Sequence, residues 1–119
     1  MRFVSTLKVS HQPTTPPPAE LMAAIAALGE EATRSGALVD FAGLQPVSGR
    51  VTLVGGALTV TDGPFAESKE LISYAVYDVR SRDEALEWAT RFVRLHQEHW
   101  SGWEGEADVQ QVLEAPPAR

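Results

Sequence analysis

The sequence has no cysteine in its 119 residues. Disulfides, thiolate nucleophiles and cysteine metal sites are therefore excluded, and several classes of enzyme with them. Long apolar runs are also missing, because the longest, residues 21–28, is far shorter than the about 20 residues of a membrane span. The first residues lack the apolar stretch of a secretory signal. We therefore expect a cytoplasmic protein.

Basic residues are also scarce. The chain has 10 Lys and Arg residues against 16 Asp and Glu residues, so the net charge is −6 and the pI is near 4.9. Nucleic acids and anionic membrane surfaces both attract an excess of positive charge. We therefore expect neither a nucleic acid nor a membrane as a partner. The 44% hydrophobic content predicts a single domain over residues 1–114, with residues 115–119 as a frayed tail.

The short motifs that identify common enzymes are absent. There is no Ser-His-Asp order, and Gly55-Gly56 does not open a helix as a phosphate-binding or dinucleotide-binding glycine loop would. His96 and His99 have a spacing compatible with metal binding, but the pattern provides no third ligand. We predict no metal and no cofactor.

Hydrophobic periodicity predicts the order strand, helix, strand, hairpin, strand, helix, strand. The second helix opens with a capping box, Ser81 to Glu84, and Glu87 and Arg91 are expected to form an ion pair on its outer face. The strand at residues 71–79 is apolar on both faces, which favours helices on one side and a second subunit on the other. The chain is thus predicted to be an α+β ferredoxin-like sandwich with an inserted hairpin. The first helix is predicted to be amphipathic, with one apolar stripe that consists of Leu21, Ile25, Leu28 and Ala32.

The hairpin prediction includes a register. Gly55-Gly56 can adopt the positive φ values of a two-residue turn. Such a turn sets Val54 opposite Ala57, Leu53 opposite Leu58, Thr52 opposite Thr59 and Val51 opposite Val60. In this register four large apolar residues share one face of the hairpin: Val51, Leu53, Leu58 and Val60. The turn and the apolar pattern therefore agree.

A charged loop follows the hairpin: Thr61-Asp62-Gly63-Pro64-Phe65-Ala66-Glu67-Ser68-Lys69-Glu70. Its glycine and proline prevent regular structure. Asp62 and Glu67 are candidate catalytic acids or bases, and Lys69 is a candidate cation that neutralises an anionic substrate. The candidate ligand-binding residues are Gly63, Pro64, Phe65 and His11.

Each candidate also has a structural explanation. Asp62 is suited to an Asx turn in which its carboxylate accepts hydrogen bonds from nearby backbone N–H groups. Glu67 and Lys69 are suited to a solvated surface pair worth under about 1 kcal/mol. The sequence leaves both alternatives open.

The loop resembles the signature of a branch of the YCII-related family, the branch named after its Asp-Gly-Pro-Phe (DGPF) motif. The surroundings agree in three places: Gly43-Leu44-Gln45-Pro46 before the hairpin, Ser81 with residues 84–88, and the acidic residues 104–106. The resemblance covers about residues 36–113. It implies a homodimer that pairs sheet to sheet as a dimeric α/β barrel, with a cavity near residues 62–65.

The resemblance does not imply a reaction. The activity of the family is mostly unassigned, and a sigma factor is a possible partner by family association only. Founding members suggest a catalytic His–Asp pair with the histidine in the first helix, but residues 19–35 contain no histidine. This chain also departs from its relatives at two other places. It has Ala42 where relatives commonly have an acidic residue, and Ser73-Tyr74 where they have a Gly-aromatic pair.

Two functional hypotheses follow from the sequence. The first is an enzyme whose cavity binds a small polar or anionic molecule and performs isomerase- or lyase-type acid/base chemistry with Asp62, Glu67 and Lys69. The second is a non-catalytic module that senses a ligand or binds a partner such as a sigma factor.

Overall fold

A computed structural model describes residues 1–114. The predicted tail, residues 115–119, lies outside the described residues. The elements are β1 (Arg2–Val9), α1 (Ala19–Arg34), β2 (Leu38–Gly43), β3 (Gly49–Val54), β4 (Ala57–Asp62), β5 (Glu70–Asp78), α2 (Arg82–His99) and β6 (Gly105–Gln111). Their order is the predicted one.

The main sheet has four strands in the order β2-β5-β1-β6, and all its neighbouring strands are antiparallel. The α+β class is therefore confirmed, and the architecture is compatible with a ferredoxin-like fold. β3 and β4 form a separate two-stranded sheet inserted between β2 and β5. Neither helix of the described chain is long and apolar enough to cross a membrane.

Alternation along β1 defines the two faces of the main sheet. Phe3, Ser5, Leu7 and Val9 are buried, whereas the alternate residues Val4, Thr6 and Lys8 are only half-buried. The buried face packs against the helix layer, since Phe3 shares a core cluster with Ala85 of α2. The other face, here called the outer face, is not covered by either helix. It includes Val4 with its partner Val76, and Thr6 with its partner Tyr74.

The helix ends follow the sequence closely. Pro18 precedes α1 with extended geometry, and Gly36 follows it at φ 81°, a left-handed conformation that favours glycine. At α2 the hydroxyl of Ser81 accepts a 3.1 Å hydrogen bond from the Glu84 N–H. The reciprocal half of the predicted capping box differs, because the Glu84 carboxylate accepts from the Arg80 N–H.

Arg91 does not form the predicted pair with Glu87. Its guanidinium instead donates two hydrogen bonds, of 2.5 and 2.9 Å, to the carboxylate of Glu31 on α1. This contact lowers the pKa of Glu31 and raises that of Arg91. The i, i+4 rule considers one helix alone, so it missed a partner on the other helix.

Candidate functional site

A cavity of about 390 Å³ lies between the helices and the main sheet. The α1 stripe forms much of its wall, with Leu21, Ile25 and Leu28 all lining it. Leu21 is 1% exposed. The predicted apolar stripe of α1 therefore borders a hollow, which is here called the inter-layer cavity.

The cavity opens between α1 and the edge strand β2. Met22 of α1 and Phe41 of β2 both line it. They are 52% and 60% exposed, so the surface between them leads to solvent. A small molecule can enter here without unfolding the subunit.

Few polar side chains reach the cavity, and they are deeply placed. Ser5 and His96 are the two buried polar side chains of the described chain, and both line this cavity. Tyr77 also lines it and is 5% exposed. Burial raises the pKa of Tyr77, so its hydroxyl stays protonated at neutral pH. An apolar wall with a few buried polar groups is typical of a small-molecule site.

The protonation of His96 is fixed by its surroundings. Its Nδ1 lies 3.0 Å from the carbonyl oxygen of Phe92. A carbonyl only accepts hydrogen bonds, so Nδ1 carries the proton in this contact. Burial lowers the pKa of His96, so the ring is neutral at neutral pH and its Nε2 holds a lone pair. The cavity therefore has a hydrogen-bond acceptor that can also take a proton.

Two aromatic rings hold the imidazole in place. Its ring centroid lies 5.0 Å from that of Phe92, in an edge-on arrangement, and 4.5 Å from that of Trp103. The Trp103 Nε1–H is the one buried side-chain polar atom of the described residues that has no hydrogen-bond partner. The imidazole is thus packed between two rings that donate no hydrogen bond to it.

We expect acid to destabilise the protein partly through His96. Below about pH 6.5 the unfolded chain protonates this residue, whereas the folded chain does so only at lower pH. The free energy of unfolding should therefore fall with decreasing pH, by at most about 1.4 kcal/mol per pH unit for one proton. Urea titrations between about pH 7 and pH 5 should give a smaller loss for His96→Gln than for the wild type. Equal losses would contradict this assignment.

The loop at residues 61–69 lines none of the described cavities. The Gly63 N–H donates a 2.7 Å hydrogen bond to Ser48 O. A Cβ on Gly63 would overlap Val47 O and approach Ser48 C to 3.0 Å, so the close backbone approach needs glycine. The Gly63–Pro64 peptide bond is cis.

The charged residues of the loop are divided between separate partners. Glu67 pairs with Arg50, whose guanidinium also stacks over the Phe65 ring at 4.2 Å from its centroid. Lys69 pairs with Glu106 of β6 at 2.5 Å. This contact raises the pKa of Lys69 and lowers that of Glu106.

The charged candidates of the loop therefore contact different partners within one subunit. Within the described chain, no hydrogen bond or ion pair joins Asp62, Glu67 and Lys69 to one another. His11 is exposed beyond the end of β1. Its neighbour Gln12 contacts Glu70, so His11 and the end of the loop lie at the same end of the sheet.

Sequence reasoning missed the inter-layer cavity and its polar groups. Two signals pointed to it: Ser5 occurs on the apolar face of β1, and His96 occurs on the apolar face of α2. The pattern had instead drawn attention to His96 with His99 as metal ligands. Among the described residues, no group of three or more His, Asp or Glu side chains is arranged to hold a metal.

Comparisons with known proteins identify a family. A family model described as "YCII-related domain" matches residues 1–100. No curated protein matches the chain.

One similar solved structure is an amidase of the hydantoinase/carbamoylase family from Burkholderia phymatum, with 20% sequence identity and a TM-score of 0.32. The match covers 93% of this chain and 27% of that chain. A similarity this weak carries no argument about activity.

Proposed function

The chain belongs to the YCII-related domain family, and we propose that this member binds a small, mainly apolar organic molecule in its inter-layer cavity. One observation carries the proposal. The two buried polar side chains of the described core, Ser5 and His96, both line the same apolar hollow. The Nδ1–H of His96 is already bonded to the Phe92 carbonyl oxygen, and a ligand in the hollow would give the His96 Nε2 and the Ser5 hydroxyl a hydrogen-bond partner.

The size of the cavity also favours an occupant. The lining of this cavity of about 390 Å³ is mainly apolar, and an apolar ligand that fills it removes that surface from water at a gain of about 25 cal/mol per Å². The volume accommodates about a dozen water-sized groups of about 30 Å³ each, which corresponds to one or two fused rings.

The lining defines the chemical class of the ligand. Its walls are apolar, so a charged group would lose its hydration without gaining a counter-charge. Neutral His96 offers a lone pair, and the hydroxyls of Ser5 and Tyr77 donate or accept hydrogen bonds. The ligand we propose is therefore an uncharged, ring-containing molecule with a hydroxyl or carbonyl group. This differs from the polar or anionic molecule that the sequence favoured.

The site also has the group that acid/base chemistry requires. A base with its proton removed at neutral pH can accept a proton from a bound hydroxyl or from a carbon next to a carbonyl. We propose His96 Nε2 for this role, in isomerase- or lyase-type chemistry. The alternative is a non-catalytic sensor, and in that case His96→Gln changes affinity while no product forms from any bound ring alcohol or ketone.

Membership in the DGPF branch and a catalytic role for the loop stay predictions. Asp62 is the loop carboxylate for which the described residues provide no ion pair, and it is the residue to substitute. Loss of binding or turnover in Asp62→Asn at unchanged thermal stability would support the catalytic role. A large loss of stability would support the turn role instead.

We also propose that the protein is a homodimer, as the resemblance to a dimeric α/β barrel implies. The outer face of the sheet supports this, because Val4, Val76 and Tyr74 lie there without a covering layer. Sheets of α+β proteins cover apolar faces with another layer, and a second sheet serves that purpose. A sigma factor as the covering partner is the alternative.

Binding of 2-naphthol tests the cavity assignment. Trp88 and Trp100 line the cavity, so their fluorescence should change saturably on titration. Gly29 also lines it, and a Cβ there meets no atom within 4 Å. Gly29→Leu should therefore fill the cavity while favouring the helix, and it should weaken 2-naphthol binding at least about tenfold.

The matched control is Ala27→Leu, an exposed position on the same helix. It should leave the affinity within about twofold. The proposal fails if 2-naphthol does not bind saturably to the wild type, or if the two variants bind it equally well.

A further inference from the structure

The hairpin formed by β3 and β4, here called the arm (residues 49–62), stands away from the rest of the subunit. Every residue of its two strands is exposed, and neither helix nor the main sheet packs extensively against it. The Cα radius of gyration is 16.6 Å, whereas a compact chain of this length has about 13.5 Å.

The two faces of the arm differ in chemistry. The observed register is the predicted one, and it puts four apolar side chains on one face. These are Val51, Leu53, Leu58 and Val60, which are between 66% and 74% exposed. Thr52 and Thr59 lie on the opposite face, together with the turn-flanking pair Val54 and Ala57. Such alternation is typical of strands with one buried face, and a lone hairpin is only marginally stable in water.

A second uncovered apolar surface lies along β2 and includes Met22 and Phe41, which line the mouth of the inter-layer cavity. It is here called the rim and consists of Met22, Val39, Phe41 and Leu44, which are between 41% and 60% exposed. Three of these residues belong to or directly follow β2, which is an edge strand of the main sheet. An open edge beside apolar side chains is a surface that proteins normally cover.

We propose that the arm of one copy packs its apolar face against the rim of a second copy, and that the second arm does the same in return. This inference rests on the proposed homodimer. The arm and the rim are both apolar, and they do not meet within one subunit. A two-fold axis generates two equivalent arm-to-rim contacts, so both arms and both rims are covered in the dimer.

Charge opposes a second copy least at the arm. Each copy carries a net charge of −6, so two copies repel one another, and the repulsion is weakest where uncharged surfaces meet. Residues 51–61 contain no charged side chain. The same segment offers no cation for a nucleic acid or an anionic membrane.

The contact area is compatible with a dimer that also uses the outer face of the sheet. The arm face measures about 20 Å by about 10 Å, from the rise along a strand and the spacing between strands. Each copy buries the face of its own arm and a rim area of the same size under the partner's arm, which together make about 400 Å². This is half of the about 800 Å² that each partner buries in a standard interface. In this arrangement Leu58 and its neighbours cover the cavity mouth of the partner, so each ligand site is closed by the other copy.

Mass measurement by light scattering tests the role of the apolar face. The wild type should be a dimer. The double variant Leu53→Glu/Leu58→Glu should weaken dimerisation about 100-fold or more, because it buries unpaired carboxylates. Thr52→Glu/Thr59→Glu, on the opposite face, should leave the dimer largely intact. Circular dichroism confirms that both variants are folded.

Crosslinking tests where the arm lies, and the absence of native cysteine makes the result specific. Leu58→Cys chains are mixed with Val39→Cys chains and treated with a short bis-maleimide. A crosslinked heterodimer is expected, with far less product when Thr59→Cys replaces Leu58→Cys. A dimer without this crosslink overturns the arm inference alone, whereas a monomeric wild type overturns the homodimer as well. Binding of 2-naphthol is measured separately, so neither result is confused with failure of the cavity assignment.

Discussion

Gly105→Ala is expected to lower the free energy of unfolding by about 3 kcal/mol, at the upper end of the cost of overpacking. An added Cβ would lie 2.5 Å from Lys8 O and 2.7 Å from Trp103 Cζ2. Gly105 pairs with Val9 in the main sheet, so the strands cannot separate without loss of ladder hydrogen bonds. Trp103 cannot move away freely either, because its ring packs on His96.

The control for this substitution is another strand glycine. Gly43 lies in β2, and a Cβ there meets no atom within 4 Å. Gly43→Ala should change the stability by less than about 0.5 kcal/mol. Chemical denaturation of the two variants measures the difference. Equal stabilities would contradict the close packing of Trp103 over β6.

Leu21→Ala is expected to cost about 3–5 kcal/mol, the usual range for a fully buried leucine. Leu21 is the one large side chain in the described chain with less than 2% exposure. It belongs to α1 and lines the inter-layer cavity. Its removal would enlarge a hollow that already exists, so the neighbouring side chains have little means of closing the gap.

Met22→Ala is the control that separates the loss of a buried anchor from the mere enlargement of the cavity. Met22 also lines the cavity, but it is 52% exposed at the mouth. Its truncation should cost under about 1 kcal/mol. Thermal and urea unfolding of both variants provide the comparison. A small loss for Leu21→Ala would mean that α1 does not depend on this anchor.

Local patterns predicted most of the fold. The arm register followed from Gly55-Gly56 and alternating side chains, and the start of α2 followed from Ser81, because each depends on residues close in sequence. The stripe containing Leu21 correctly marked the inward face of α1. The sequence could not reveal that this stripe borders a hollow, since a cavity depends on the distance between layers.

The partners of the loop's charged side chains could not be predicted. Arg50 and Glu106 pair with Glu67 and Lys69 from other parts of the chain, and charge patterns within a loop say nothing about partners many residues away. The role of the loop in binding stays a prediction. The buried polar group that lines the inter-layer cavity, His96, is marked in the sequence only by its place in an apolar stripe.

Nuclear magnetic resonance of the methyl-labelled protein with 2-naphthol tests the central claim most directly. The account predicts intermolecular nuclear Overhauser effects between the ligand and the methyl groups of Leu21, Ile25 and Leu28, together with a shift of the His96 ring resonances. Effects confined to Leu53 and Leu58 of the arm, or to the loop at residues 61–69, would contradict the inter-layer cavity as the binding site.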